Sequence, residues 1–224
     1  MDIISSVQKS FVLYILTSKK GSFFCQYIKI KKILKNKIPK GLLMENISTE
    51  IKYYNIYCGS SLAAFVKNLK RHRKECYADS RTMVFLCIGS DRATGDCLGP
   101  IVGHMLLQNN KKLLVYGTLS SPVHAQNLEI TIDSIYSTIP NPYIIAIDAS
   151  LGIRQHIGNV TMGHGTLSPG IGVNKKLPCV GDAFITGIVN TSNKNSHITL
   201  QTTRLSTVVD LAEFIARGIL HAVR

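Results

Sequence analysis

Asp96 and Asp148 are the two residues of this chain best placed to do chemistry together. Asp96 lies in Ile88-Gly89-Ser90-Asp91-Arg92-Ala93-Thr94-Gly95-Asp96-Cys97-Leu98-Gly99-Pro100, where an apolar run stops at a glycine-punctuated polar loop and a helical stretch opens. Asp148 ends the apolar run Tyr143-Ile144-Ile145-Ala146-Ile147-Asp148. In a parallel α/β sheet, ligands gather beyond the carboxyl ends of the strands. If the two strands are neighbours, both carboxylates open into one crevice. Two carboxylates about 4 Å apart repel by roughly 4 kcal/mol at an effective dielectric near 20, or about three pKa units. They cannot both stay ionised at neutral pH unaided, so either they share a proton or a cation sits between them. A shared proton suits activation of water against a peptide bond; a cation gives metal-assisted hydrolysis or metal sensing. Both stay open. The plainer readings are a helix N-cap for Asp96 and a turn residue for Asp148. Asp91 ranks below Asp96, which occupies the helix mouth, where the dipole favours an anion by roughly 0.3–1 kcal/mol.

The second constellation is Gly163-His164-Gly165-Thr166-Leu167-Ser168-Pro169-Gly170-Ile171-Gly172-Val173-Asn174-Lys175-Lys176. Glycines on both sides free the backbone to present His164 as a third ligand, a general acid or base, or an orienter. Over Pro169–Lys176, backbone N–H groups with two lysines beside them could cradle an anion, which makes Ser168, Gly170, Gly172, Asn174 and Lys175 candidate substrate contacts. The plainer reading is a flexible surface loop. His124 follows Ser120-Ser121-Pro122-Val123, and capping or packing is its simpler role. There is no GxSxG elbow, HExxH, GxxxxGK[ST] or strand-linked GxGxxG, which disfavours the common serine hydrolases, zincins and dinucleotide enzymes.

These residues need strands and helices to hold them. Ser60–His72 carries Leu62, Phe65, Val66 and Leu69 at helical spacing with Lys and Arg opposite. Strands are then expected at 82–88, 113–116 and 143–148, with helices at 97–108 and 123–137 between them. The strand starts fall about 30 residues apart, the length of a βαβ unit. Right-handed crossovers make such units a parallel sheet covered on both faces. Further strands are expected at 159–163 and 183–190, with a long Gly/Pro loop at 165–181. A closing helix near 203–222 has Leu205, Val208, Val209, Ala212, Ile215, Ala216 and Ile219 on one apolar face.

With 224 residues the chain can bury one good core. Its net charge is +13, but residues 1–43 hold nine Lys against one Asp, +8 of that total, leaving +5 for residues 44–224. The Lys67, Lys70, Arg71, Arg73 and Lys74 cluster then reads most simply as a solvated helix face, and nucleic acid is not the expected partner. Six cysteines (25, 58, 76, 87, 97 and 179) show no CxxC or zinc spacing. Phe11–Leu16 is too short to span a bilayer, and no secretory signal is evident. A reduced, soluble, cytoplasmic protein is expected, with no membrane partner. The codons for Lys40-Gly41 resemble a ribosome-binding site upstream of Met44, so translation is expected to start there. Residues 1–43 are then an artefactual extension and residues 44–224 the single α/β domain. The rival reading is a disordered basic anchor to nucleic acid or anionic lipid.

Cys87–Pro100 closely resembles the YyaC-type spore protease family of endospore-forming bacteria. So do Gly117-Thr118-Leu119 with Pro122-Val123-His124-Ala125, Ala146-Ile147-Asp148-Ala149-Ser150-Leu151-Gly152, and Leu167–Val173. The similarity runs from about Ser60 to Ala222. That family resembles the spore germination protease and, more remotely, the hydrogenase maturation endopeptidases. The resemblance implies a phosphorylase/hydrolase-like three-layer α/β/α sandwich with a mostly parallel sheet. It implies that Asp96 and Asp148 are the catalytic pair, with His164 nearby where the germination protease has an Asp. The maturation endopeptidases bind nickel through Glu, Asp and His, a set that Asp96, Asp148 and His164 would imitate. The implied function is an endopeptidase acting on a spore protein, such as a small acid-soluble spore protein, in the forespore or spore core. The alternatives are a non-catalytic module binding spore protein or DNA, and a metal-dependent maturation-type peptidase.

Overall fold

The structure, a computed structural model, describes residues 51–170 and 177–224. The expected extension over residues 1–43 lies outside them, and Asn46–Arg224 form one compact unit. In chain order the elements are β1 (Lys52–Asn55), α1 (Ser61–Ala78), β2 (Thr82–Cys87), a 3-10 turn (Thr94–Cys97), α2 (Leu98–Asn109), β3 (Val115–Tyr116) and α3 (Leu128–Thr138). There follow β4 (Pro142–Gly152), a 3-10 turn (Arg154–His156), β5 (Asn159–His164), β6 (Ala183–Thr191), α4 (Ser196–Gln201) and α5 (Leu205–Val223).

Six strands form one sheet in the order β1-β5-β6-β4-β2-β3. β3, β2, β4 and β6 run parallel, and β5 runs antiparallel to both of its neighbours. The apolar run before Ser90 and the run ending at Asp148 pair directly, from Thr82↔Pro142 to Cys87↔Ile147. The condition for a shared carboxylate crevice is therefore met.

Both sheet faces are buried, as parallel strands require. On one face Phe85, Cys87, Ile145, Ile147, Met162 and Ile185 pack in a single core with Phe65 and Leu69 of α1, Leu98 and Val102 of α2, and Leu211 and Ile215 of α5. Strand alternation sends Val84, Leu86, Ile144 and Ala146 to the other face. They are equally buried, as are Leu128, Ile132 and Ile135 of α3. The result is an α/β sandwich with a mostly parallel sheet. Truncating one of these leucines or isoleucines to alanine costs about 2–5 kcal/mol.

The departures from the sequence expectation are local. β1 and α4 were not expected, being too short to carry a period. α1 runs on to Ala78. α3 starts at Leu128 rather than Val123 because Asn127 holds the preceding segment in a loop: its Oδ1 accepts from the His124 N–H at 2.8 Å and its Nδ2 donates to the Pro122 carbonyl at 3.0 Å. Val123 instead bridges Ile88, extending the sheet beside the loop that carries Asp96. Leu205, assigned to the apolar face of the last helix, is exposed. Cys58, Cys76, Cys87, Cys97 and Cys179 are all unpaired thiols. Among the described residues no helix is long and apolar enough to cross a membrane.

Candidate functional site

Asp96 sits in the 3-10 turn that feeds α2, and Asp148 sits in β4 beyond the last residue paired with β2. Asp148 is 8 % exposed, and its Oδ1 accepts from the Ala149 N–H at 2.8 Å. Asp96 is partly buried and caps no helix: the N-cap positions of the turn and of α2 are Ala93 and Cys97, neither with a side-chain cap. Its carboxylate is therefore not used up as a helix cap.

Burial raises the Asp148 carboxyl well above the ordinary range, and the charge of Asp96 pushes it further; the Ala149 N–H offsets this in part. Burial also raises Asp96, against the pull of the Ser90 N–H, His124 and His197. Asp148 thus feels the charge of Asp96, and both carboxyls are raised first by burial. Behind Asp148 lies a row of hydroxyls on the same sheet face. Thr186 is its register partner on β6, Thr161 Oγ1 lies 2.7 Å from Thr186 Oγ1, and Ser150 Oγ donates to Thr186 Oγ1 at 3.1 Å.

His164 does not join this pair. It pairs with Ala183, which pairs with Ile145, three residues before Asp148. At about 3.3 Å per residue that is roughly 10 Å along the strand, and the odd offset turns His164 to the opposite face. The Asp96, Asp148 and His164 set implied by the nickel-binding relatives is therefore not assembled, and no chemistry is routed through it. The histidines whose charge reaches Asp96 are His124 and His197. Capping or packing is the simpler expectation for His124, whose Nδ1 accepts from the Gln126 N–H at 3.3 Å. His197 carries no sequence signal, because α4 brings it to the site from about a hundred residues beyond Asp96.

The candidate substrate loop also departs from expectation. Its stem is fixed by Gly165 N–H to the Asp182 carbonyl at 2.7 Å and by paired bonds between Leu167 and Val180 at 2.8 Å. Because β5 runs against its neighbours, this stem is rooted at the amino end of the parallel strands, whereas the carboxylates lie at the carboxyl end. Ser168 Oγ lies 3.0 Å from Cys179 Sγ, and Gly170 takes a positive φ of 87°. Gly172, Asn174 and Lys175 lie outside the described residues.

His164 has other company. Its ring stacks on His72 of α1, with centroids 5.9 Å apart and planes 8° from parallel. Glu75 Oε2 lies 3.6 Å from His72 Nδ1 and 3.9 Å from His164 Nδ1. His72 is buried, and its Nδ1 also lies 2.9 Å from the Tyr143 hydroxyl. One donor atom from each of His72, Glu75 and His164 lies within 4.8 Å of the others, a group able to hold a metal ion.

The sandwich and its carboxylate pair define an α/β protein whose candidate site lies at the carboxyl ends of β2 and β4. Residues 53–218 match the family described as "Protein of unknown function (DUF1256)", and the chain belongs to that family. It is also 47 % identical over 143 residues to "Uncharacterized protein YyaC" of Bacillus subtilis (strain 168), an alignment covering 63 % of this chain and 70 % of the relative. The YyaC-type resemblance read from the motif blocks is thus established.

Proposed function

We propose that this protein is a hydrolase that cleaves peptide bonds with the Asp96–Asp148 pair, acting on a spore or sporulation protein. What carries the reading is the placement of two carboxyls at the ends of adjacent strands, both raised by burial, with Asp148 raised further by the charge of Asp96. Such a pair holds one proton at neutral pH. Asp148, the more buried, keeps it. Asp96, stabilised by the Ser90 N–H and two nearby histidines, is the ionised partner. Asp96 takes a proton from water as the oxygen attacks the scissile carbonyl, and Asp148 gives its proton to the carbonyl oxygen. As the tetrahedral gem-diol collapses, Asp96 gives its proton to the leaving amine and a gem-diol hydroxyl returns its proton to Asp148, which restores the pair. Proton sharing is the form adopted for this site because burial favours the neutral form of Asp148 beside the charge of Asp96.

The choice of a protein substrate, of the small acid-soluble spore proteins in particular, and of the forespore or spore core as the location rests on the resemblance to spore proteases. Asp96→Asn and Asp148→Asn each lower peptide cleavage by at least about 100-fold, with unchanged circular dichroism. The assay uses spore-protein extracts and reads new termini by mass spectrometry. Full cleavage by the double variant excludes the mechanism.

A second reading has one observation in its favour. Lys67, Lys70, Arg71 and Lys74 line a groove of about 750 Å³ with Leu62 and Val66. A module that binds an acidic partner or DNA would use this face, and salt-sensitive DNA binding without proteolysis supports that reading instead.

A further inference from the structure

We propose that His72, Glu75 and His164 form a binding site for a divalent transition metal of the zinc class, separate from the carboxylate pair, that clips α1 to the end of β5. His72 and Glu75 are three residues apart on α1 and so share one helix face. The chain is led back to that face by β5, whose Val160, Met162 and His164 alternate toward the helix side of the sheet while Thr161 and Gly163 face away. A further contact holds the two elements together: Asn68 Nδ2 donates to Met162 Sδ at 3.2 Å.

Tetrahedral zinc with bonds of about 2.0–2.1 Å places its donors about 3.3–3.4 Å apart. The observed 3.6 and 3.9 Å from Glu75 to the two imidazoles are wider by only a few tenths of an ångström, which small side-chain rotations remove. Two imidazoles and one carboxylate suit zinc, cobalt, nickel or copper rather than magnesium or calcium, which take oxygen donors. The Glu75 and His164 side chains are 46 % and 36 % exposed, so an ion has an entry path and a solvent-facing coordination position. The Tyr143 hydroxyl, 2.9 Å from His72 Nδ1, is the competitor. A metal taking that nitrogen replaces its hydrogen bond. The site lies on the opposite face and at the opposite end of the sheet from Asp148, so its loading and peptide cleavage are separable.

The test uses tag-free full-length protein stripped with chelator, then titrated with zinc, with cobalt as a spectroscopic probe. The expected result is one zinc per chain, a higher Tm on loading, and a tetrahedral-type cobalt absorption band. Glu75→Ala and His164→Ala change exposed side chains, so the fold is retained, and each weakens zinc binding by at least about 100-fold. Tyr143→Phe keeps or strengthens binding, since only the competitor is lost. Asp148→Asn binds zinc like the wild type. No zinc uptake at tens of micromolar, or equal affinity in the Glu75→Ala and His164→Ala variants, overturns the proposal. Loss of zinc in Asp148→Asn with retention in His164→Ala also overturns it and moves the metal to the carboxylate pair.

Discussion

At the scale of single residues, Asp148 ties stability to activity. Its carboxyl holds a proton above the ordinary carboxylate range, through burial first and Asp96 second. Between its unfolded and folded values the folded chain binds more protons than the unfolded one, so stability falls as pH rises through that window. Asp148→Asn has no charge to bury. Its Tm is expected to exceed that of the wild type near neutral pH and to meet it below about pH 4, where the aspartate is protonated in both states. Each kcal/mol reads as about 2–4 °C for a chain of this size. Thermal unfolding across pH checks this, and wild-type and variant curves that stay parallel at every pH count against it. Proton sharing also predicts a bell-shaped cleavage profile. Activity rises as Asp96 ionises and falls where the pair loses its second proton, above the usual carboxylate range. A single rising titration instead points to one carboxylate acting alone.

At the scale of elements, the crevice depends on how closely the Asp96 turn approaches β2. Gly89 has φ 144° and its N–H bonds the Val123 carbonyl at 2.8 Å; a Cβ there would stand 2.1 Å from the Asp96 carbonyl oxygen. Gly89→Ala therefore displaces the Asp96 backbone, with an expected stability loss of about 1–3 kcal/mol. Cleavage is expected to fall further than denaturant stability does, and retained full cleavage would detach the turn from the site. The strands and helices that frame this crevice were legible in the sequence because each carries a run or a period: Thr82–Cys87, Leu98–Asn109 and the long β4. The neighbouring of β2 and β4, stated only as a condition, follows from the sheet order. His164 was misassigned to the crevice because sequence gives a strand's alternation but not the sheet face that each phase meets. Only the register with Ala183 and Ile145 settles it. His197 was invisible for the reverse reason, since α4 is one and a half turns long and shows no pattern.

At the scale of the whole molecule, most of the net charge lies outside the segment that carries the core of the described residues. Residues 1–43 hold +8 of the net +13, whereas the family match runs over 53–218 and the compact unit over Asn46–Arg224. The core cluster, both carboxylates and the His72–Glu75–His164 group all fall within that unit. A protein beginning at Met44 therefore keeps every contact described above. Its expected Tm lies within about 2 °C of the full chain, a stability change under about 1 kcal/mol, with the same cleavage rate and zinc stoichiometry. Nucleic-acid binding separates the roles of the two parts. If the basic segment is an anchor, the full chain binds DNA with a steep salt dependence that the Met44 protein loses, because released counterions scale with the number of phosphates neutralised. If the basic groove on α1 is the anchor, both proteins bind with similar salt slopes. Unfolding of the Met44 protein would place part of the stabilising core upstream of it and overturn the division.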